Sequence, residues 1–414
     1  MLNVNAPTSR LLVLALLRRL RYGSLTLIES GRDARTFGDQ DTSGPHVTLE
    51  VLDPSFHRLL LAGSIGLSEA YMARMFECDD LPGLARLAAL NMHQLDTVRR
   101  VVRPAVALPQ RGLRWLERNT PARSRKQIAA HYDLGNDLFG LMLDETMMYS
   151  CAIFESGQAT LHEAQISKLD RICQKLGLGP GDRVLEIGTG WGGFAIHAAR
   201  NYGCRVTTTT ISAEQHSLAQ ERVSAAGLGN RIDLLLEDYR NLSGRYDKLV
   251  SIEMIEAVGW QYFDTFFEQC GSLLDPGGTM LLQAITIDDR AYEVEKGTRS
   301  FANTHVFPGG CLPSMKAISR SVARASDMRA VHLEDITSHY VHTLRAWREN
   351  FHARIERVRE LGYDSRFERL WELYLAYCEG GFAERRIRTV QLMLGKPEYR
   401  GSPSLPAQLA AAAR

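Results

Sequence analysis

One short segment constrains the fold more than any other part of this chain: residues 184–193, which read Val-Leu-Glu-Ile-Gly-Thr-Gly-Trp-Gly-Gly. An apolar run that suits a buried strand reaches Glu186, and four glycines follow within seven residues. Glycine adopts left-handed backbone conformations and allows a ligand to approach the main chain closely. A strand that breaks into such a turn before a helix is typical of open α/β folds that bind nucleotide-like ligands.

The glycines alone leave two ligands open, besides an ordinary glycine-rich turn. Gly188, Gly190 and Gly193 satisfy the G-x-G-x-x-G pattern of dinucleotide sites. Such a site needs an acid at the end of the next strand to bind ribose, but residues 205–211 are followed by Ser212. Glu186 lies two residues before the first glycine, where a carboxylate can pair with the ammonium group of S-adenosylmethionine (SAM). The motif therefore favours SAM over NAD.

Composition limits the remaining possibilities. A chain of 414 residues is long enough for two domains. Its formal net charge of +1 provides no overall field for nucleic acid, so an anionic partner must meet a local patch. The seven cysteines are scattered without a C-x-x-C pair, which suits a reduced cytosol better than a disulfide framework or a zinc site. No metal is expected.

The N-terminal segment predicts a surface helix. Residues 11–17 are apolar but far shorter than the roughly 20 residues of a membrane-spanning helix. Arg10 precedes this run and Arg18, Arg19 and Arg21 follow it. We expect an amphipathic helix in a cytoplasmic protein, either packed on the domain or lying on a bilayer surface.

The chain divides into a smaller N-terminal α+β domain at 1–120 and a larger α/β domain at 121–400, followed by a flexible tail at 401–414. In the first domain, apolar and polar residues alternate as in half-buried strands at 24–29 and 46–51. Apolar residues have helical spacing at 68–75 and 81–92, which predicts helices there. The second alternates strands and helices, which predicts a doubly wound parallel sheet with its ligand at the carboxyl ends of the strands. Its predicted strands are 183–188, 205–211, 232–238, 246–254 and 279–287.

Several connections have features of their own. A turn is predicted at 275–278, Asp-Pro-Gly-Gly, and a lid at about 288–314, which is long and irregular. Beyond the lid we predict a strand at 330–337, a long helix at 338–361 and a closing strand at 389–394. The stretch 99–126 has nine basic residues against one acid, which favours either a linker that docks on phosphate headgroups or a solvated face.

Seven dispersed segments carry a family resemblance. They are 131–139 (His-Tyr-Asp-Leu-Gly-Asn-Asp-Leu-Phe), 148–151 (Met-Tyr-Ser-Cys), the glycine turn, 210–215 (Thr-Ile-Ser-Ala-Glu-Gln), 237–240 (Glu-Asp-Tyr-Arg), 254–259 (Met-Ile-Glu-Ala-Val-Gly) and 307–314 (Phe-Pro-Gly-Gly-Cys-Leu-Pro-Ser). In this order they resemble cyclopropane-fatty-acyl-phospholipid synthases and the related mycolic acid methyltransferases, over residues 125–395. The resemblance implies a Rossmann-like class I SAM methyltransferase fold and methyl transfer from SAM to a cis double bond of an acyl chain.

The resemblance also implies a set of cofactor-binding residues. They are Tyr149, Ser150, Glu186, Gly188, Gly190, Trp191, Gly192, Thr210, Gln215, Asp238 and Tyr239. An isolated alkene is a poor nucleophile, so the sulfonium methyl group must be held in line with it and away from water. Three of these residues could instead have a purely structural role. Thr210 could simply favour a strand, Tyr239 could belong to the hydrophobic core and Asp238 could cap a turn.

Methyl attack leaves a carbocation, which aromatic faces stabilise. Candidates are Trp191, Tyr149, Trp260 and Tyr340, of which Tyr340 matches a family active-site tyrosine. In the family a bicarbonate ion takes the proton, and Cys151, Glu256 and Tyr340 fall on positions of the polar cluster that holds it. For Cys151 a buried, inert thiol is the alternative.

Two positions depart from the family pattern. Gln283 stands where many synthases have histidine, and an amide donates a hydrogen bond but does not titrate. Either the activity of the site then has a different pH dependence, or the carbocation loses its proton elsewhere. In the second case the product has a methylene or methyl branch instead of a ring. Thr189 replaces the usual cysteine, a milder change.

The sequence therefore predicts an enzyme acting on unsaturated phospholipid acyl chains at the membrane surface, cytoplasmic and transiently membrane-associated, as a possible homodimer with no nucleic-acid partner. Two alternatives remain: a SAM methyltransferase of a soluble small molecule or carrier-bound acyl chain, and a non-catalytic lipid-binding protein.

Overall fold

The computed structural model describes residues 6–40, 43–92 and 135–402. Its smaller sheet has four strands in the order β2-β1-β3-β4, with β1 parallel to β3 and the other pairs antiparallel. These strands are β1 (Ser24–Glu29), β2 (Arg35–Gly38), β3 (His46–Val51) and β4 (Phe76–Cys78).

The larger sheet has seven strands in the order β10-β11-β9-β8-β5-β6-β7. Its strands are β5 (Arg183–Ile187), β6 (Arg205–Thr210), β7 (Ile232–Leu236), β8 (Tyr246–Ile252), β9 (Leu274–Ile287), β10 (Arg329–Asp335) and β11 (Ile387–Gly395). The five strands from β5 to β9 are parallel, whereas β11 runs antiparallel to both of its neighbours. The predicted doubly wound α/β sheet is confirmed, and its ligand edge is where β5, β6 and β8 end.

Helices flank both sheets. They are α1 (Ala6–Leu17), α2 (Phe56–Leu60), α3 (Ser64–Met72), α4 (Asn136–Met142), α5 (Leu161–Leu176), α6 (Gly193–Asn201), α7 (Ala213–Ala225), α8 (Phe263–Leu273), α9 (Asp289–Glu295), α10 (Met315–Ala325), α11 (Thr337–Ala353), α12 (Ile355–Glu360) and α13 (Ser365–Ala383), with a further helical stretch at 81–92. Local signals fix their ends. At α5, Thr160 and Glu163 form a capping box and Gly177 closes the helix in the left-handed conformation.

The structure corrects several predicted elements. The turn predicted at 275–278 is an irregularity within β9, where Tyr246 and Lys248 of β8 pair with Leu274 and Thr279. The predicted helix 338–361 breaks at Arg354 into α11 and α12. Helix α13 and strands β2 and β4 were not predicted, and the helix predicted at 68–75 lies at Ser64–Met72. The lid segment 288–314 contains α9 and a π-helical turn, Ala302–Val306.

The smaller sheet is anchored on α13. Buried side chains of β1, β3 and β4 share one hydrophobic cluster with residues of α11 and α13. The guanidinium of Arg369 lies 3.7 Å from the ring centroid of Tyr71 and donates to the main-chain oxygens of Tyr71 and Phe76. The predicted division near 120 and the basic stretch 99–126 lie outside the described residues, as does the tail from 403.

A helix forms where the sequence predicts one, but α1 has apolar residues on both its buried and its exposed side and is not clearly amphipathic. Val13 and Leu14 are buried, whereas Leu11 is 66% and Leu16 52% exposed. Within the described residues, none of the helices has the length and apolar character needed to cross a bilayer.

Candidate active site

The glycine turn lies at the carboxyl end of β5. Gly188, Gly190 and Gly192 have φ values of 103°, 52° and 84°, a region that disfavours other residues. A Cβ atom on Gly188 would lie 3.2 Å from a side-chain carbon of Met254, whereas one on Gly190 would point into open space. Helix α6 begins directly after Gly192, so its main-chain amides face the same edge. The turn therefore presents backbone to a ligand, as the sequence predicts.

Glu186 is the acid at this turn. It is 2% exposed, and its Oε2 accepts a 2.6 Å hydrogen bond from the hydroxyl of Thr208. Burial raises the pKa of Glu186 to about 8, against the effects of Thr208 and of the nearby Lys168. A buried carboxyl is costly to ionise without a partner cation. The ammonium group of SAM fits this position because it would supply that cation.

Thr210 and Gln215 are brought together at the end of β6. The Thr210 hydroxyl donates to Gln215 Oε1 at 2.9 Å, and Ser212 caps α7 by accepting from the Gln215 amide. Both residues are buried. They lie one strand away from Glu186, where an adenosine would extend from the glycine turn.

Asp238 and Tyr239 follow β7. Both carboxylate oxygens of Asp238 accept from the guanidinium of Arg240, and Asp238 caps the short helical turn Tyr239–Asn241. Tyr239 packs edge-on against Phe266, and its buried hydroxyl has no hydrogen-bond partner among the described residues. The local roles weighed for these two residues are present, and their contact with a cofactor stays a prediction.

Tyr149 and Ser150 lie on a segment held from below by α5. The Tyr149 hydroxyl is 2.8 Å from that of Tyr374. The Ser150 hydroxyl accepts a 2.9 Å hydrogen bond from Lys168 Nζ, and Gln165 donates to the main-chain oxygen of Ser150. Lys168 is fully buried, which lowers its pKa to about 8. This lysine belongs to no sequence motif, although its charge acts on Glu186 and on the polar cluster beside Cys151.

The four aromatic residues predicted to stabilise the carbocation have different surroundings in the structure. Trp191 is buried and donates to Asn136 Oδ1 at 2.7 Å. Tyr149 and Tyr340 both pack against Trp347, with ring centroids at 5.1 and 6.1 Å. Trp260 is 39% exposed and lies against Lys296 instead. Trp260 is therefore outside the aromatic cluster.

The polar centre of this cluster is Glu253, which was not among the predicted site residues. Its Oε1 accepts from the Cys151 amide at 3.0 Å and from Gln283 Nε2 at 2.8 Å. Its Oε2 accepts from the Tyr340 hydroxyl at 2.6 Å. Burial raises the pKa of Glu253, while these three donors and Lys168 act in the opposite direction. Three of the four predicted catalytic positions thus converge on one additional carboxylate.

Gln283 is oriented by a buried chain of hydrogen bonds. Its Oε1 accepts from Gln391 Nε2 at 3.0 Å, and Gln391 Oε1 accepts from Lys175 Nζ at 2.7 Å. Lys175 also pairs with Glu334. Because the Gln283 oxygen is engaged on this side, its amide nitrogen points to Glu253.

Glu256 lies beside the group of residues that contact Glu253 but does not share their hydrogen bonds. Its Oε1 accepts from the Ile285 main-chain amide, while its Oε2 is buried with no partner among the described residues. Burial raises the pKa of Glu256 to about 8, and the charge of Glu253 acts in the same direction. Cys151 contributes its main-chain amide. Its thiol donates weakly to the Ala152 oxygen at 3.3 Å, and burial raises its pKa well above the usual value.

Glu253 has a left-handed backbone with φ of 50°, just past the end of β8. This conformation costs a residue with a Cβ atom on the order of 1–2 kcal/mol, and such strain clusters at functional sites. The signal available in the sequence was position: a carboxylate directly after a central parallel strand faces the ligand edge.

The doubly wound sheet, the glycine turn and the buried acid together define a class I SAM methyltransferase. Coclaurine N-methyltransferase, 18% identical with a TM-score of 0.54 over 76% of this chain and 99% of that one, shares this fold. Within the described residues, groupings of His, Cys, Asp and Glu that would hold a metal ion are absent.

This chain belongs to the mycolic acid cyclopropane synthetase family, whose family model matches residues 119–392. It is 39% identical over 368 residues to tuberculostearic acid methyltransferase of Mycobacterium tuberculosis, covering 84% of this chain and 83% of that protein. It is 38% identical over 356 residues to cyclopropane-fatty-acyl-phospholipid synthase of Escherichia coli K12, covering 84% and 87%.

Solved structures agree. A cyclopropane synthase of Mycobacterium tuberculosis superposes with a TM-score of 0.62 at 31% identity, over 66% of this chain and 98% of that one. A mycolic acid cyclopropane synthase in complex with S-adenosylhomocysteine and CTAB gives 0.61 at 32% identity over the same shares. The predicted family and SAM-dependent methyltransferase activity are confirmed.

Proposed function

We propose that this enzyme transfers the methyl group of SAM to the cis double bond of an unsaturated acyl chain in a membrane phospholipid and forms a cyclopropane fatty acid. The observation that carries this proposal is the aromatic enclosure of a buried acid. Tyr340, whose hydroxyl donates to Glu253, stacks on Phe382 at 4.2 Å and packs against Trp347, which also contacts Tyr149. Such a lining suits an apolar chain and a cationic intermediate better than a polar substrate.

The chain's own residues position the reactants. SAM, when bound, supplies an electrophilic methyl group. Glu186 would hold its ammonium group, the glycine turn would follow its methionine part, and Thr210 with Gln215 would hold the adenosine. The buried aromatic rings exclude water that would trap the cation. A basic group must then accept the proton; in the family that this chain resembles, that group is a bicarbonate ion.

Helix α1 supports a substrate in a bilayer. Leu11, Leu12 and Leu16 are exposed on one side of it, and Arg18 and Arg19 follow at its end. An exposed apolar stripe beside basic residues favours the surface of an anionic membrane. The proposal therefore locates the enzyme in the cytoplasm with transient membrane binding.

A methylene-branched product is the second candidate, because Gln283 stands in place of histidine and one relative is named a tuberculostearic acid methyltransferase. A saturated methyl branch would require a reductant in addition. A ring forms when the electron pair of a broken methyl C–H bond goes directly to the neighbouring cationic carbon. An exocyclic methylene requires a hydride shift first, which moves the cation to the carbon that bears the methyl group, before the same C–H bond breaks.

The test is incubation of the full chain with labelled SAM and vesicles of monounsaturated phosphatidylglycerol, followed by mass spectrometry of the lipids. A methylene-equivalent mass gain in the acyl chain is expected, and its absence would refute the proposal. NMR of the product distinguishes a ring from an exocyclic methylene. Vesicle sedimentation should be salt-sensitive; methylation of free or carrier-bound acyl chains without vesicle binding would instead indicate a soluble substrate.

A further inference from the structure

The donors expected to hold a bicarbonate ion already hold a carboxylate of the chain. The Cys151 amide, the Gln283 side chain and the Tyr340 hydroxyl lie 3.0, 2.8 and 2.6 Å from the oxygens of Glu253. Both oxygens of this one side chain are engaged. A carboxylate and a bicarbonate ion present the same pair of oxygens to such donors.

A second anion does not fit beside these groups. Of the two acids in this pocket, Glu256 already takes the Ile285 amide with one oxygen. A bicarbonate ion would lie against Glu253, and two anions in a buried site repel each other. Lys168, the nearby cation, donates to Ser150. The residues present therefore fit an internal carboxylate and not an added bicarbonate ion.

We propose that Glu253 is the catalytic base of this enzyme and replaces the bicarbonate ion, an inference that rests on the proposed methyl transfer to an acyl double bond. In this step a C–H bond of the transferred methyl group breaks, and its electron pair forms the ring bond to the cationic carbon. The proton goes to an oxygen of Glu253. Charge balances because the cation and the carboxylate are both neutralised.

The geometry suits this role in three ways. Burial raises the pKa of Glu253 and makes it a stronger base than an exposed carboxylate, while its three hydrogen-bond donors favour the ionised form. Engagement of both oxygens holds the carboxylate in place, which limits its attack on the cation to form an ester. Its left-handed backbone is a position that glycine adopts without strain, so this chain maintains a strained conformation to place a carboxylate here.

The first experiment needs no variant. Methyl transfer to the phosphatidylglycerol vesicles is measured in decarbonated buffer under nitrogen, and again with added sodium bicarbonate at constant pH and ionic strength. We expect turnover of the wild-type protein to differ by less than about twofold, since a base within the chain needs no dissolved anion. A loss of turnover in decarbonated buffer that bicarbonate restores would overturn the role of Glu253 and leave the proposed lipid methylation standing.

Two variants then test the side chain. Glu253→Gln keeps the shape and removes the base, so turnover should fall by about 100-fold or more and bicarbonate should not restore it. Glu253→Gly removes the backbone strain and leaves the space of the carboxylate empty. The variant should have low turnover, which should rise at least about tenfold with bicarbonate or formate. Glu349→Gln, an exposed acid on α11, is the matched control with wild-type turnover. Full activity of Glu253→Gln would contradict the proposal.

A binding measurement separates this inference from the proposed substrate. Bicarbonate should raise the melting temperature of Glu253→Gly relative to an equal concentration of chloride, and it should leave that of the wild-type protein unchanged. This holds whichever acceptor is methylated. Equal stabilisation of both proteins would show that the wild-type pocket still takes the ion. If the shift is specific to Glu253→Gly but no vesicle lipid is methylated, the proposed function fails and the internal anion stands.

Discussion

Tyr340 donates a 2.6 Å hydrogen bond to Oε2 of Glu253, across 87 residues of sequence. Tyr340 lies in α11, in the part of the chain beyond the lid segment, whereas Glu253 follows the central strand β8. The phenol ring also stacks on Phe382 of α13 at 4.2 Å. One side chain therefore closes the aromatic enclosure and stabilises the anion inside it.

Replacing Tyr340 by phenylalanine tests this dual role. Tyr340→Phe keeps the stacked ring but removes one donor, and a hydrogen bond to a charged group is worth about 1.5–3 kcal/mol. We expect the pKa of Glu253 to rise further and turnover to fall by roughly 10- to 100-fold. Stopped assays of labelled methyl transfer measure this. Tyr202→Phe, which removes a hydroxyl bonded to Asp170 at 2.9 Å, is the control; equal losses in both variants would contradict the role.

Glu186 predicts how SAM affinity depends on pH. Its pKa of about 8 in the ligand-free chain means that the carboxyl is protonated at neutral pH, and only the ionised form pairs with an ammonium group. Affinity should rise about tenfold per pH unit up to pH 8 and then level off, with proton release on binding. Calorimetry with S-adenosylhomocysteine, which keeps that ammonium group, in two buffers of different ionisation enthalpy measures both. In Glu186→Gln the slope should disappear and affinity should be weaker above pH 8.

Much of the fold was predictable because local signals and long-range packing agree there. Strands β1 and β3 have the predicted bounds, since alternation matches a half-buried sheet. Strands β5 to β8 end one or two residues before their predicted limits, where the backbone turns toward the ligand edge. Helix α13 was not predicted, although its buried residues run from Trp371 to Phe382. Its apolar face is defined by two partners, α11 and the smaller sheet, that are distant in sequence.

The residues around the site could be predicted from the sequence, but Glu253, the carboxylate on which they converge, could not. The structure brings Cys151, Gln283 and Tyr340 together around Glu253, and the catalytic and cofactor-binding roles that the resemblance implies stay predictions. Glu253 was missed because a family pattern identifies the residues that match it, and this acid carries no motif. In the structure its hydrogen-bond partners and its left-handed backbone distinguish it from Glu256, three residues later.

Glu256 makes a prediction about stability. Its folded pKa of about 8 exceeds the ordinary value of 4.5, so the folded state binds a proton that the unfolded state has released between these values. This contribution to stability is fully present below pH 4.5 and is lost as pH rises to 8, at a rate of at most about 1.4 kcal/mol per pH unit. Glu256→Gln should flatten the pH dependence of the free energy of unfolding in this window. Urea titrations at several pH values, with Glu349→Gln as control, measure it; an unchanged slope would show that Glu256 is ionised.

The last prediction concerns Gln391, which is expected to act on the site by positioning Gln283. Gln391→Leu removes the donor that engages the Gln283 oxygen and leaves Lys175 with one partner fewer. A buried polar group left unpaired costs about 1–3 kcal/mol, so the free energy of unfolding should fall by that amount.

A purely structural role for Gln391 would end at that loss of stability, whereas a positioning role extends to Glu253. If Gln391 fixes the Gln283 amide, the variant weakens a hydrogen bond that lowers the pKa of Glu253. The acidic limb of the turnover–pH profile should then shift to higher pH, because a higher pKa keeps the base protonated over a wider range. Gln391→Glu, which restores an oxygen for Lys175 but cannot donate when ionised, should recover stability and not the profile. A profile identical to that of the wild-type protein would confine Gln391 to a role in folding.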